Sequence, residues 1–186
     1  MAKGKSISPT WSDVKAVLLT FDRAGLQGLV QDLYAASEAN QAFLHARFGL
    51  GQDQLEPYKK CISRWICPDI MRAQPVSVSK AKKAIADYKK AIGRPEGMAE
   101  LSIFYCEEAL SFHQACGFET QPYLASLIHM FDQALKSALS LPPVESSTYL
   151  DRLDRLRARA KHFGGGVQDQ LNSLWYDADI DEQQVE

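Results

Sequence analysis

Apolar residues recur along almost the whole chain at the three- and four-residue spacing of one helix face. The pattern is clear from Val14 to Phe21 and again from Leu26 to Tyr34. No segment of useful length alternates apolar and polar residues in the manner of a half-buried strand. The pattern therefore predicts an all-α protein of about nine helices.

Short polar or glycine-containing breaks separate these helices and predict antiparallel pairs. The clearest pairs run from Leu26 to Phe48, from Met98 to Leu141 and from Tyr149 to Tyr176. Stacked helix pairs of this size form HEAT-like solenoids, and a compact up-and-down bundle gives the same pattern. We predict stacked antiparallel hairpins and favour the HEAT-like stack over the bundle.

The size and composition of the chain predict one domain followed by a tail. A chain of 186 residues, 46% of them hydrophobic, can bury a sizeable core, and we expect a single domain over residues 1–176. The last ten residues, DADIDEQQVE, contain five acidic residues and no basic one. Such a segment is typically disordered, and it sometimes shields a basic surface. Residues 177–186 are therefore predicted to form an acidic tail.

The sequence also indicates a compartment. It lacks a run of about 20 apolar residues that could cross a bilayer, and its first residues, MAKGKSISPTW, lack the apolar stretch of a signal peptide. We expect a cytoplasmic protein that does not bind a membrane. The four cysteines form no CxxC pair and are expected to be reduced thiols, namely Cys61, Cys67, Cys106 and Cys116.

Two basic runs stand out against a net charge of -2. The segment SVSKAKKAIADYKKAIGRPEG, from Ser77 to Gly97, combines an apolar stripe with lysines on the flanks and far side of one helix. The second run, Arg152 to Arg159, contains Asp154 and directly follows Asp151, and these two aspartates can pair with some of its arginines. The candidate binding residues of the two runs are Lys82, Lys83, Lys89, Lys90, Arg152, Arg155 and Arg159.

Three interpretations of these basic residues are open. They can be the solvated face of ordinary helices, which the sequence alone favours. They can bind an acidic protein partner or the protein's own acidic tail. They can also bind nucleic acid weakly and without specificity, through Lys80 to Lys90 and Arg152 to Arg159. Since Tyr88 belongs to the apolar stripe, no ring is predicted among the lysines to stack on bases.

A metal site built from carboxylates and histidine is a further hypothesis. Glu100 and Glu107 lie seven residues apart on one predicted helix, and His129 and Asp132 lie three apart on the next. The Glu-x-x-His motif of di-iron bundles is absent from the sequence. The sequence also lacks the motif around a catalytic nucleophile, the P-loop motif and the motif of a cofactor site, so we predict no cofactor and no catalytic residue.

Three blocks of the sequence resemble a bacterial family catalogued as domain of unknown function 6155. They are LVQDLYAASEANQAFLHARF, KAKKAIADYKKAIG and MAELSIFYCEEALSFHQACGF, and the resemblance extends over about residues 26–139. The residues that carry it include Asn40, Tyr105, Glu107, Phe112 and Gly117. The resemblance implies a small all-α, repeat-like protein of unassigned function, and it brings no catalytic residue with it.

These observations predict a non-catalytic module that binds or connects proteins. The expected ligand is a protein partner. A weak, non-specific nucleic-acid-binding protein is the alternative, and a metal protein is the third hypothesis. The sequence leaves the oligomeric state open.

Overall fold

The structure is a computed structural model that describes residues 8–50 and 53–178, and it confirms the all-α prediction. Within those ranges the chain forms nine α-helices and no strand. Two single turns of 3-10 helix, Ile70–Arg72 and Ala160–His162, lie between them. The α-helices are α1 Trp11–Leu18, α2 Arg23–Ala36, α3 Glu38–Phe48, α4 Glu56–Ile66, α5 Val78–Ala91, α6 Pro95–Cys116, α7 Gln121–Leu139, α8 Pro143–Arg159 and α9 Val167–Tyr176.

The chain groups into two compact units, and the boundary falls inside α3, after Leu44. In the first unit, no residue of α1 or α2 is buried. The second unit contains α4 to α9 and every buried apolar residue of the chain that the structure describes. The single domain over residues 1–176 stays a prediction. Of the predicted acidic tail, only Asp177 and Ala178 belong to the part of the chain that the structure describes.

Three successive helix pairs, α4–α5, α6–α7 and α8–α9, build the second unit, and the middle pair contacts both of the others. Helices α4, α6 and α8 follow one another in one row, and α5, α7 and α9 follow one another in a second row. The core between the rows includes Tyr105, Tyr123 and Phe131, which are almost completely buried. Neighbouring pairs of this kind are typical of helical repeats, and the HEAT-like assignment stays a prediction.

Buried hydroxyl groups connect the two rows. The Tyr123 hydroxyl on α7 lies 2.9 Å from the carbonyl oxygen of Ile66 and 3.2 Å from that of Ala109, so it can donate to either. The Tyr105 hydroxyl lies 2.5 Å from that of Ser126, which joins α6 to α7. Burial raises the pKa of both tyrosines, so they stay neutral and keep their hydrogen bonds at ordinary pH.

The turn between α5 and α6 differs from the prediction. Gly93 follows α5 with a left-handed backbone, φ 67°, as the sequence indicates. Pro95 is the first residue of α6. Proline suits this position because the first helical residue needs no N–H donor. Helix α6 therefore begins before the predicted start at Met98, and its first turn lies beside α5.

The described helices include none that is both long and apolar enough to cross a membrane. All four cysteines are unpaired thiols. Cys106 is buried among apolar residues of α6, and burial raises the pKa of its thiol. A buried neutral thiol of this kind acts as a small apolar residue of the core.

Candidate binding groove

An open groove with a volume of about 810 Å³ lies between α5, α7 and the first turn of α6. Its floor is apolar, since Ile85, Met98 and Met130 are buried there. Its walls are basic, with four lysines and one carboxylate among the lining residues. Those charged residues are Lys82, Lys83 and Lys89 of α5 and Asp132 and Lys136 of α7.

Helical spacing explains why these charges meet. Lys82 and Lys89 are seven residues apart, about two turns, so they lie on the same flank of the buried stripe of α5. On α7, His129, Asp132 and Lys136 follow one another at three- and four-residue steps along a single face. Because α5 and α7 are neighbours in one row of helices, the two faces border one groove.

Only part of this positive charge is neutralised within the groove walls. Lys83 Nζ lies 2.5 Å from Asp87 Oδ2 on its own helix, and Lys136 Nζ lies 2.7 Å from Asp132 Oδ2. Among the residues that the structure describes, no carboxylate lies within 4.0 Å of Lys82 or Lys89. The groove therefore keeps a positive excess over an apolar floor.

A second cavity of about 700 Å³ shares Lys82 with the groove and lies beside the N-termini of α5 and α7. The N-cap residues of these helices, Ser77 and Thr120, both line it. Neither helix has an acidic residue in its first turn, so the positive ends of both helix dipoles are uncompensated there. Lys82 and the two helix N-termini thus add positive charge at this end of α5, whose 14 residues span about 21 Å.

The two cavities offer little to a nucleic-acid base. Phe118 is the one phenylalanine, tyrosine or tryptophan among the described residues that line them. Its ring packs against Phe112 and Tyr123, with centroids 5.5 and 5.1 Å away. Proteins that bind single strands stack bases on exposed rings, and this ring is already committed to the core.

Arg152, a predicted member of the basic surface, instead lies in an ion network between α4, α6 and α8. Its Nε and Nη2 atoms donate to the two carboxylate oxygens of Glu107 at 3.0 and 2.8 Å. Its Nη1 atom donates to Glu100 Oε2 at 2.5 Å, and Lys59 Nζ donates to Glu100 Oε1 at 2.6 Å. Two cations and two carboxylates thus satisfy one another, and Arg152 is engaged within its own chain.

Two members of the network, Glu100 and Arg152, stay ionised at neutral pH. Burial by itself would raise the pKa of the Glu100 carboxyl, but the hydrogen bonds and charges of Lys59 and Arg152 hold it below its ordinary value of 4.5. Burial likewise opposes the charge of Arg152, and its carboxylate partners outweigh that effect and raise its pKa. These side chains are 18 to 33% exposed, so water screens them only partly.

The four metal candidates do not converge. Glu100 and Glu107 hold Arg152, whereas His129 and Asp132 line the groove, where Asp132 pairs with Lys136. Among the described residues, no group of three or more His, Cys, Asp or Glu side chains could share an ion. The spacing of Glu100 and Glu107 serves a guanidinium group rather than a metal in this arrangement.

The other predicted basic residues lie outside the groove. Lys90 is exposed and is not among the groove residues. Arg155 Nε donates to the carbonyl oxygen of Asp151 at 3.1 Å, and an Arg159 nitrogen lies 3.0 Å from Gln114 Oε1. Lys136 was missed because it belongs to no basic run. Its spacing of seven residues from His129 was the signal in the sequence that could have placed both side chains on one face of α7.

The fold and the groove together define the class of the protein. It is an all-α protein with a groove between two neighbouring helices, α5 and α7, and this groove has basic walls and an apolar floor. No family model, curated protein or solved structure matches the chain. The resemblance to domain of unknown function 6155 stays a prediction. The interpretation of the groove therefore depends on its own geometry and charge.

Proposed function

We propose that the protein is a non-catalytic binding module whose ligand is an acidic segment of a protein partner, held in the groove between α5 and α7. One observation carries the proposal: lysines from two helices surround a buried apolar floor. Carboxylates of the ligand meet the lysines, and its apolar side chains cover the floor. Met98 and Met130 suit such a floor because methionine adapts to side chains of different shape.

The groove also limits the size and the affinity of the ligand. An extended chain rises about 3.3 Å per residue, so about six residues cover the length of α5. The lysine contacts lie at the surface, and each exposed ion pair contributes about 1 kcal/mol or less. Binding should therefore weaken strongly as salt rises, because salt screens exposed charges.

Nucleic acid is the alternative ligand and is less well supported. Phosphate groups could meet the same lysines. However, the described residues that line the groove include no phenylalanine, tyrosine or tryptophan, and Arg152 is occupied by Glu100 and Glu107. An acidic peptide uses the apolar floor, whereas a phosphate backbone leaves it uncovered.

The experiment compares two neighbouring lysines of α5. A labelled peptide of about six residues, alternating glutamate and leucine, is titrated with the full chain by fluorescence anisotropy. We expect Lys89→Glu to weaken binding at least about fivefold, because one favourable charge becomes repulsive in the groove. Lys90→Glu is the matched control, since it makes the same charge change on an exposed residue outside the groove, and should change the affinity less than about twofold.

Two outcomes would contradict the proposal. Equal losses for Lys89→Glu and Lys90→Glu would mean that net charge, not the groove, holds the peptide. Tighter binding of an oligothymidine than of the peptide would favour the nucleic-acid alternative.

We further infer a HEAT-like arrangement of the helix pairs, a cytoplasmic location and membership of the bacterial family resembled by the sequence. The succession of neighbouring pairs α4–α5, α6–α7 and α8–α9 supports the first inference. The four unpaired thiols support a reducing compartment. The three matching sequence blocks support the family.

A further inference from the structure

Eight of the large apolar side chains of the first unit are at least 40% exposed to solvent. Their exposed fractions range from 40 to 78%. They lie on α1, on the loop that follows it and on α2, at the spacing of one amphipathic stripe on each helix. The eight residues are Trp11, Val14, Val17, Leu19, Phe21, Leu26, Val30 and Leu33.

These helices lack the support that short helices need. Helix α1 has 8 residues and α2 has 14, and neither buries any of them. Isolated helices shorter than about 12 to 15 residues are marginal in water. Gly25 and Gly28 lower the stability of α2 further, and the Asp22 cap contributes only about 1 kcal/mol. The stripes therefore require another surface to cover them.

We propose that this surface is the same pair of stripes on a second copy of the chain, which gives a symmetric dimer of the first unit. The eight half-exposed side chains together present on the order of 700 Å² of accessible surface per copy. A standard stable interface buries about 800 Å² per partner. The stripes of α1 and α2 together thus present an area comparable to that of a stable interface, and the dimer requires that both helices turn their stripes to the same partner copy.

Charge also favours a second copy over a charged partner. Helices α1 and α2 carry two acids, Asp13 and Asp32, and two bases, Lys15 and Arg23. Two neutral surfaces meet without repulsion, and a self-complementary pair is the commonest form of oligomer. A helix that lies on an anionic membrane would instead carry a lysine- and arginine-rich polar face.

The test measures the oligomeric state of the full chain by sedimentation equilibrium between about 1 and 100 µM. We expect a wild-type dimer and a monomeric Leu33→Glu variant, because a carboxylate in the stripe would be buried without a partner. Gln31→Glu is the matched control, since it adds the same charge to the exposed polar face of α2 and should leave the dimer intact. A monomeric wild type, or a dimeric Leu33→Glu, would overturn the proposal.

Amide hydrogen exchange provides a second readout that does not depend on a variant. In the wild type, exchange of residues 23–36 should slow by at least about tenfold between the lowest and highest concentrations, because only the dimer covers α2. Protection that is independent of concentration would mean that another part of the same chain covers the stripe, and it would also overturn the proposal. Neither readout depends on the groove between α5 and α7.

Discussion

The two units contain helices with the same kind of amphipathic pattern but bury them differently. In α5, the stripe residues Ala81, Ile85 and Tyr88 are buried against neighbouring helices. In α2, Leu26, Val30 and Leu33 occupy equivalent spacing and are 40 to 50% exposed. An apolar stripe therefore specifies a helix that needs a neighbour, but not which molecule provides that neighbour.

The charged residues show a similar contrast within the second unit. Arg152 is enclosed by carboxylates of another helix, so its charge stabilises the fold. Lys82 and Lys89 border an open groove, with no carboxylate of the described chain within 4.0 Å. The two basic runs look alike in sequence, but their residues differ in surroundings. Arg152 stabilises the fold, whereas Lys82 and Lys89 are accessible to a ligand.

The largest effect is expected from the core of the second unit. Phe131→Ala should lower the free energy of unfolding by about 4 kcal/mol, because it removes a fully buried ring and leaves a cavity. Phe21→Ala is made in the Leu33→Glu background, which is expected to be monomeric. There it should change the free energy of unfolding by less than about 1 kcal/mol, since Phe21 is 41% exposed. Urea denaturation followed by circular dichroism measures both. Equal losses would contradict the difference between the units.

A smaller effect is expected from the ion network. Arg152→Ala should lower the free energy of unfolding by about 2 kcal/mol, because Glu100 and Glu107 lose a partner while partly buried. Arg155→Ala, on the exposed side of the same helix, should cost less than about 0.5 kcal/mol. If the two variants are equally stable, the network does not hold α8 to α6.

The smallest effect is the pH dependence of the stability difference between the wild type and Arg152→Ala. The pKa of Glu100 is lower in the folded protein than its ordinary value of 4.5, so its contribution is complete above that pH and is lost as pH falls through the folded pKa. The stability gap between wild type and Arg152→Ala should be constant from about pH 7 to 5 and shrink below about pH 4.5. Urea denaturation across this range measures it. A gap that widened in acid would contradict the role of Glu100.

Local sequence patterns predicted the helices well and the side-chain partners poorly. The stripe of α5 and the turn at Gly93 follow from neighbouring residues, so both were predictable. The pairing of Asp154 with Arg157, three residues apart, follows for the same reason. Arg152 and Glu107 lie 45 residues apart, and only the packing of α8 on α6 brings them together.

Local sequence predicted the part of the groove that belongs to α5, but not the parts that tertiary packing adds from α6 and α7. The three α5 lysines of the groove come from one run of sequence, and spacing placed them on the flanks and far side of a helix with a buried stripe. Lys136 and the floor residue Met130 come from α7, and Met98 comes from α6. Which helices border each other depends on tertiary packing, so neither the floor nor the fourth lysine could be assigned from a single run.

The groove itself is tested most directly by nuclear magnetic resonance. Amide resonances of the isotope-labelled full chain are followed while the glutamate-leucine peptide is added. We predict that the resonances that shift belong to α5, to the first turn of α6, to residues 129–139 of α7 and to Ser140. Shifts confined to α1 and α2, or to the exposed arginines Arg155 and Arg159, would contradict the assignment of the groove as the binding site.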